Sequence, residues 1–472
     1  MADWKYTQGC RARGVSPTRT PIALLTGAVV LVVGFHAANL LYIANGLNCE
    51  ALTLACPERT APWSQPDTNS YLRVAEALLE KGLLETSYLS RLPGYPALLA
   101  ASIRITGGAT PVLWLAALLA GAAAAAIAWI TFVLTDRTAA ALTAVLLFSV
   151  WLNAYQFSAQ LLTDAPHAFL SVVAFAATLR WREREPAGAA WLAGALWMAA
   201  QSLRLTFFPL AVILPLLLWK RRPSGRYIAV SASLCLATAI VPALVIASNH
   251  RHHQVWSPSL SSSANLACHA VPRLQEELGM GRFRALRKKC HERFRGMEPA
   301  EKIPAQLDHA FAFLGQRPML AFRSFAHEIG AQTTFPSRPY AVRTTHRFYP
   351  AWMTTSRRTL GLFWLCALGG LLVIARRDRG LALFLMATFW LVMIPAGVTH
   401  LAEARLRLPL DLLFIPLVVL FVQVVVSAAA SCLGWPPDGG FAQPLGKRSM
   451  EGGRVCGHSG QSVSPSDDSI ES

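Results

Sequence analysis

Charge is scarce in this chain. Asp, Glu, Lys and Arg together make up 15% of its 472 residues, while 54% are hydrophobic. That balance excludes a soluble globular enzyme, a disordered protein and a disulfide-rich secreted domain. The strict two-residue alternation of an outer-membrane barrel is missing as well. So are a Walker A motif, a dinucleotide fingerprint and a zinc-protease signature, and there is no useful internal repeat. What the sequence does have is continuous apolar blocks of roughly 15–25 residues, about the length that spans a bilayer as helix. In lipid the backbone must bond within its own segment, so these blocks are helices.

The blocks predict ten spans: 22–44, 111–134, 138–157, 163–179, 188–203, 206–219, 227–248, 359–375, 380–397 and 408–430. A further stretch, 93–105, is short, opens Pro93-Gly94-Tyr95-Pro96 and contains Arg104. It reads as a re-entrant or interfacial segment that does not cross. With the N-terminus inside, Lys5, Arg11, Arg13, Arg19, Arg137, Arg180, Arg182, Arg184, Lys220, Arg221, Arg222, Arg226, Arg376, Arg377 and Arg379 all fall on the inner side. The short outer loops hold only Arg204, Arg405 and Arg407. The positive-inside rule then sets both termini inside. The first span follows a basic stretch and has no clear cleavage site, so it reads as an uncleaved anchor.

The expected organisation is a cytoplasmic tail 1–21, an N-terminal transmembrane module 22–248 with an outer loop 45–110, a large and mostly helical outer loop 249–358, C-terminal helices 359–430, and a disordered cytoplasmic tail 431–472. The 249–358 loop is basic, with 17 Lys/Arg against 7 Asp/Glu, and holds eight of the twelve His. Cys49, Cys56, Cys268 and Cys290 lie on the outer side, where each loop could close one disulfide or keep free thiols.

A charged side chain at membrane depth is expensive, so such residues usually face a cavity or a partner. Several gather at expected outer helix ends. Asp67 starts an amphipathic helix over 67–81, and Arg91 precedes Leu92-Pro93-Gly94-Tyr95-Pro96. Asp164 follows Leu162-Thr163, Arg204 occupies a tight turn between apolar helices, and Glu403, Arg405 and Arg407 lie in one run. Each has a plainer reading. The acids could cap helices, the arginines could reach lipid phosphate or pair with Glu403, and Tyr71 and Tyr95 could be belt aromatics. The His250, Arg251, His252, His253 run is a weak metal signal, better read as a solvated cluster. The Arg282–Arg295 stretch fits anionic headgroups or a phosphorylated glycolipid better than nucleic acid, with a plain solvated amphipathic helix as the equal alternative.

Taken in order, Asp67, Arg91-Leu-Pro-Gly-Tyr-Pro96, Leu162-Thr163-Asp164, Leu203-Arg204-Leu-Thr206 and Glu403-Ala-Arg405-Leu-Arg-Leu-Pro409 resemble the GT-C glycosyltransferase superfamily. The likeness is closest to bacterial relatives of protein O-mannosyltransferases and to lipid A aminoarabinose transferases. It covers roughly 22–425 without most of 249–358. The sequence departs from the family pattern at Leu92, where Pro is usual, at Asp164, where Glu is common, and at Ala404-Arg405, where Arg-Tyr is common. The resemblance implies an all-α polytopic fold in the bacterial cytoplasmic membrane. It also implies transfer of a sugar from a polyprenyl-phosphate donor to a hydroxyl of an envelope glycolipid, polysaccharide or protein on the periplasmic side. Asp67 and Asp164 would be catalytic; Arg91, Tyr95, Arg204, Glu403 and Arg405 would bind substrate. Membrane lipid is an expected partner and nucleic acid is not. No cofactor is required; a divalent metal is compatible with the scheme but not indicated. Two rivals are an O-antigen-ligase-like enzyme acting through His253 or His346, and a flippase of lipid-linked saccharide.

Overall fold

A computed structural model describes residues 19–46, 50, 54, 67–83, 85–89, 91–205, 210–219, 223–334, 349–398 and 404–433. The chain divides into two units, Met1–Phe421 and Val422–Ser472; of the second, the described part is the end of the last helix and Leu433. Among the described residues all regular structure is helical. The helices are α1 (Arg19–Gly46), α2 (Thr68–Lys81), α3 (Gly94–Thr106), α4 (Val112–Thr135), α5 (Thr138–Ser149), α6 (Leu152–Ser158), α7 (Asp164–Arg184), α8 (Ala187–Leu203) and α9 (Leu210–Leu218). They continue with α10 (Gly225–His253), α11 (Leu260–Asn265), α12 (Val271–Glu277), α13 (Phe283–Arg293), α14 (Pro299–Gln316), α15 (Pro318–Thr334), α16 (Tyr349–Arg377), α17 (Arg379–Val398) and α18 (Ala404–Cys432).

Six of these are long and apolar enough to cross a membrane: α1, α4, α10, α16, α17 and α18. The chain is therefore a multi-pass helical membrane protein. The other four expected spans map onto shorter or more polar pieces. The 138–157 block is broken at Val150-Trp151 into α5 and α6. Helix α8 has 17 residues and α9 has nine. Helix α7 has 21 residues but ends in Arg180, Arg182, Glu183 and Arg184. It lies deep inside the protein, with Ala165, Ala168, Val172, Ala174 and Phe175 all buried. Small residues allow this, because they let helix backbones approach closely. On α4, Ala120, Ala123, Ala124 and Ala128 are buried, and a Cβ at Gly121 would sit 2.4 Å from Val33 Cγ2 of α1.

Contacts at the helix ends give the bundle two distinct ends. At one, Leu40 and Ala44 of α1, Val112 and Leu113 of α4, Leu161 and Leu162 before α7, and Leu203 of α8 share a buried cluster with Tyr71 of α2 and Tyr95 of α3. At the other, Arg182 of α7 pairs with Asp378 between α16 and α17, and Arg377 donates to the Leu134 carbonyl of α4. Ser224 caps α10 near that end, and Tyr227 bonds the Leu218 carbonyl. The helices thus alternate in direction, and the connections that hold Asp67, Asp164 and Arg204 meet at one end. The 93–105 segment is α3, a 13-residue helix whose first turn abuts the end of α8. A Cβ at Gly94 would meet Ser202 Oγ at 2.2 Å and the Ser202 carbonyl oxygen at 2.7 Å. Gly94→Ala is therefore expected to cost about 1–3 kcal/mol by overpacking. Thermal unfolding in detergent checks this; an unchanged midpoint would mean that the α3–α8 contact is not tight.

The 249–358 loop is mostly helical where described, as expected. Cys268 and Cys290 form a disulfide, with Cα atoms 5.3 Å apart. It ties the turn after α11 to α13 and sits in a small buried cluster with Val271, Phe294 and Ala310. Cys49, Cys56, His346, Glu403 and the 434–472 tail lie outside the described residues.

Candidate functional site

Asp67 immediately precedes α2, where a helix-capping role is the simplest expectation. Its side chain makes no capping bond. Instead the backbone carbonyl takes the first-turn amides of Ser70 and Tyr71, which frees the carboxylate for other partners. Arg91 Nη2 donates to Oδ1 at 2.7 Å, and Arg405 Nη1 donates to Oδ2 at 2.8 Å. Two guanidinium groups, 338 residues apart from Asp67 in the case of Arg405, thus hold both oxygens of one carboxylate. Burial alone would raise the Asp67 pKa. The charges and hydrogen bonds of Arg405 and Arg91 outweigh it and hold the carboxyl below its usual value.

Arg91 is fixed on three sides. Its Nε donates to Ser70 Oγ at 2.7 Å, and that hydroxyl donates to the Asp67 carbonyl at 2.6 Å. Its guanidinium carbon lies 4.7 Å from the centre of the Tyr71 ring, a cation–π distance. Tyr71 meets Tyr95 edge-on with ring centres 5.3 Å apart, and its hydroxyl shares a 3.2 Å hydrogen bond with Thr163 Oγ1. Thr68 Oγ1 donates to the Leu161 carbonyl at 3.1 Å. These bonds stitch α2 to the turn that leads into Asp164.

Asp164 is the first residue of α7 and pairs with Arg204, at the end of α8. Neither a capping role for Asp164 nor lipid-directed snorkelling for Arg204 describes this geometry. Tyr71 and Tyr95 are buried, so they are not belt aromatics. Burial, with Tyr71 and the Asp164 carboxylate nearby, pushes the Tyr95 phenol well above its ordinary range and keeps it a neutral donor. Exposure is uneven across the group. Side chains of Arg91, Arg204 and Arg405 are 22–26% exposed and Asp67 is 35%, whereas Asp164 is 2%. The three arginines and Asp67 are thus partly open to an incoming molecule, whereas Asp164 is buried beneath Arg204.

Six of the seven residues singled out in the sequence (Asp67, Arg91, Tyr95, Asp164, Arg204 and Arg405) therefore belong to one group joined through Tyr71 and Thr163. Glu403 lies outside the described residues. Arg407 belongs elsewhere. It is fully buried, away from headgroups, and its Nε donates to Asp411 Oδ1 at 2.7 Å. Its guanidinium also reaches the Gln332 carbonyl of α15. Trp151 Nε1 donates to the other Asp411 oxygen at 3.2 Å, and Asn153 reaches it at 3.5 Å. The sequence signal for this network is a single acid in an apolar run, four residues after an arginine. Of the ligase-like candidates, His253 shares a 2.6 Å hydrogen bond with Ser87. The described residues contain no group of three or more His, Cys, Asp or Glu placed to hold a metal ion.

The fold and this group of residues define a polytopic helical membrane protein with a partly exposed carboxylate–guanidinium cluster at one end of its bundle. No protein-family model matches the chain, and no curated protein matches it.

Proposed function

We propose that the chain is a membrane glycosyltransferase of the GT-C kind. It crosses the bacterial cytoplasmic membrane ten times with both termini inside and transfers a sugar from a polyprenyl-phosphate carrier to an acceptor hydroxyl on the outer side. One observation carries the reading: acids and arginines from five separated sequence segments converge in a single partly exposed cluster. A carboxylate and a phosphate each present a pair of oxygens, so the Arg91–Arg405 grip that now holds Asp67 suits a donor phosphate as well.

The chemistry follows from that exchange. The acceptor oxygen forms a bond to the anomeric carbon as the bond from that carbon to the phosphate oxygen breaks. The phosphate leaves with one more negative charge, which fixed guanidinium groups stabilise more in the transition state than in the ground state. Asp67, released as its arginines turn to the phosphate, takes the hydroxyl proton. Arg204, held in place by the buried Asp164, orients the sugar or acceptor. A single displacement with one base inverts the anomeric centre. Guanidinium groups supply the charge stabilisation in this scheme, so it requires no metal.

The experiment is transfer of labelled sugar from a polyprenyl-phosphate donor by purified protein in nanodiscs. Its pH dependence adds a test of the base. In the free protein the Asp67 pKa is lowered, so its ion pairs stabilise the fold at pH above the unfolded value and are lost as pH falls through the folded one. The acid limb of kcat/KM, which reports free enzyme, should therefore lie below about 3.9, the ordinary aspartate value. The limb of kcat should lie higher, because the bound phosphate draws the arginines away. A kcat/KM limb near about 6.5, the histidine value, would move the base to another residue.

A further inference from the structure

The Arg282–Arg295 stretch takes no part in the chemistry of the carboxylate–guanidinium cluster. Residues 282–295 hold seven Lys/Arg against one Glu. The structure folds most of it as α13 and leaves Arg282, Arg284, Arg287, Lys288, Lys289, Arg293 and Arg295 exposed. The helix is held rigidly. The Cys268–Cys290 disulfide and buried Phe294 fix its C-terminal half. At its N-terminus the amide of Phe283 donates to Glu276 Oε1 at 3.0 Å, the Phe283 ring lies 5.0 Å from His269, and Arg273 sits over it at 5.5 Å.

Large apolar side chains stand exposed at both ends of this basic helix. Leu278 and Met280 precede it, and Met297 follows it. Met280 is 54% exposed, more than half of its surface. A water-soluble polyanion would neutralise the arginines but leave these side chains wet. A bilayer surface takes both, because cations meet phosphate while apolar tips enter the acyl boundary. The surface also connects to the part of the protein that meets lipid. Glu277 at the end of α12 accepts from Ser324 of α15 at 2.7 Å. Helix α15 in turn packs on the C-terminal end of α17, where a Cβ on Gly397 would meet Ile329 at 2.4 Å. Along α17, Trp390 and Ile394 are exposed apolar side chains facing out of the bundle, and on α15 Met319 and Phe322 are exposed as well.

We infer that α13, with Leu278, Met280 and Met297, is a docking face for the phosphate headgroups of an anionic bilayer, and that it clamps the 249–334 helical region onto the membrane surface. The inference needs only a multi-pass membrane protein and stands apart from the proposed sugar transfer. The disulfide keeps the basic helix in one orientation, and Arg284, Arg287 and Lys288, neighbours on one face at i, i+3 and i+4 spacing, meet the phosphates together.

The test uses the full chain in nanodiscs, either purely zwitterionic or with about one third anionic lipid. Two readouts apply: acylation of Lys288 and Lys289 by a water-soluble amine reagent, and hydroxyl-radical oxidation of Met280 and Met297. On anionic lipid both should fall about fivefold relative to zwitterionic lipid, and salt near 1 M should restore them, since a Debye length of about 3 Å screens the attraction. The exposed triple change Arg284→Glu, Lys288→Glu and Lys289→Glu should abolish the protection of Met280 and Met297. Retention of the Cys268–Cys290 disulfide, checked by mass mapping, shows that variant to be folded. Equal reactivity in both lipids would overturn the inference. Equal protection in both lipids would also overturn it, because charge would then play no part. Stronger protection by soluble polyphosphate in zwitterionic discs than by anionic lipid would overturn the membrane assignment in favour of a free polyanion.

Discussion

Asp67→Asn is expected to lower sugar transfer by about 10²–10⁴-fold, the usual contribution of a positioned base, while membrane abundance stays unchanged. The amide keeps the size of the carboxylate and can still accept from Arg91 or Arg405, so donor binding should weaken little. The loss should therefore fall on kcat. Stability points the same way: the pairs are partly exposed, at 22–35%, and such pairs contribute less to folding than fully buried ones, so the variant should remain folded. Arg405→Met should differ in kind. It removes half of the phosphate grip and should raise KM as well as lower kcat. Donor hydrolysis and transfer, measured side by side in the same nanodiscs, separate the two patterns. Near-normal transfer by Asp67→Asn would remove Asp67 from the chemistry and leave its arginine pairing as a structural feature.

The second large effect lies in the buried network one helical turn deeper on α18. Arg407 and Asp411 are both fully buried and bonded to each other at 2.7 Å. Breaking such a pair from one side strands a charge in a medium of low polarity, at a cost of about 3–5 kcal/mol. Arg407→Met should therefore cut the yield of folded protein sharply, or lower its unfolding midpoint in detergent. Trp151 and Asn153 would still donate to Asp411 but would not neutralise it. Replacing both partners, Arg407→Met with Asp411→Leu, should recover much of the loss, because no unpaired charge remains. If the single and double variants are equally destabilised, the network stabilises the fold through shape and not through charge. This prediction is independent of the reaction. It concerns how α18 is held where Arg405, two residues before Arg407, meets Asp67.

The sequence carries the site in one respect and conceals it in another. Charges at the ends of apolar blocks are costly, so Asp67, Asp164, Arg204 and Arg405 stand out against their surroundings. Alternation of the apolar blocks then predicts a common end for them, and the contacts of α1, α4, α7 and α8 agree. What the linear pattern does not carry is pairing. Nothing local distinguishes an aspartate that caps its helix from one that faces two arginines, because capping and ion pairing call for the same residue at the same place. Ser70, Tyr71 and Thr163, which join the two ion pairs, are ordinary polar residues of a helix start and a turn. The break at Val150-Trp151 is hidden for a related reason. Residues 138–157 are apolar enough to read as one span, and the bonds of Trp151 and Asn153 beside the break go to Asp411, 258–260 residues away. The length of α8 and α9 is equally illegible, since an apolar helix packed in a bundle looks in sequence like one in lipid.

The most direct measurement is photo-crosslinking with a polyprenyl-phosphate sugar that carries a diazirine beside the phosphate. It should be applied to the full chain in nanodiscs and mapped by peptide mass. The account predicts label on peptides containing Arg91–Tyr95 and on those containing Arg405, reduced in Arg405→Met. Label confined to the helices of 249–334, or no label that excess unmodified carrier competes away, would contradict it.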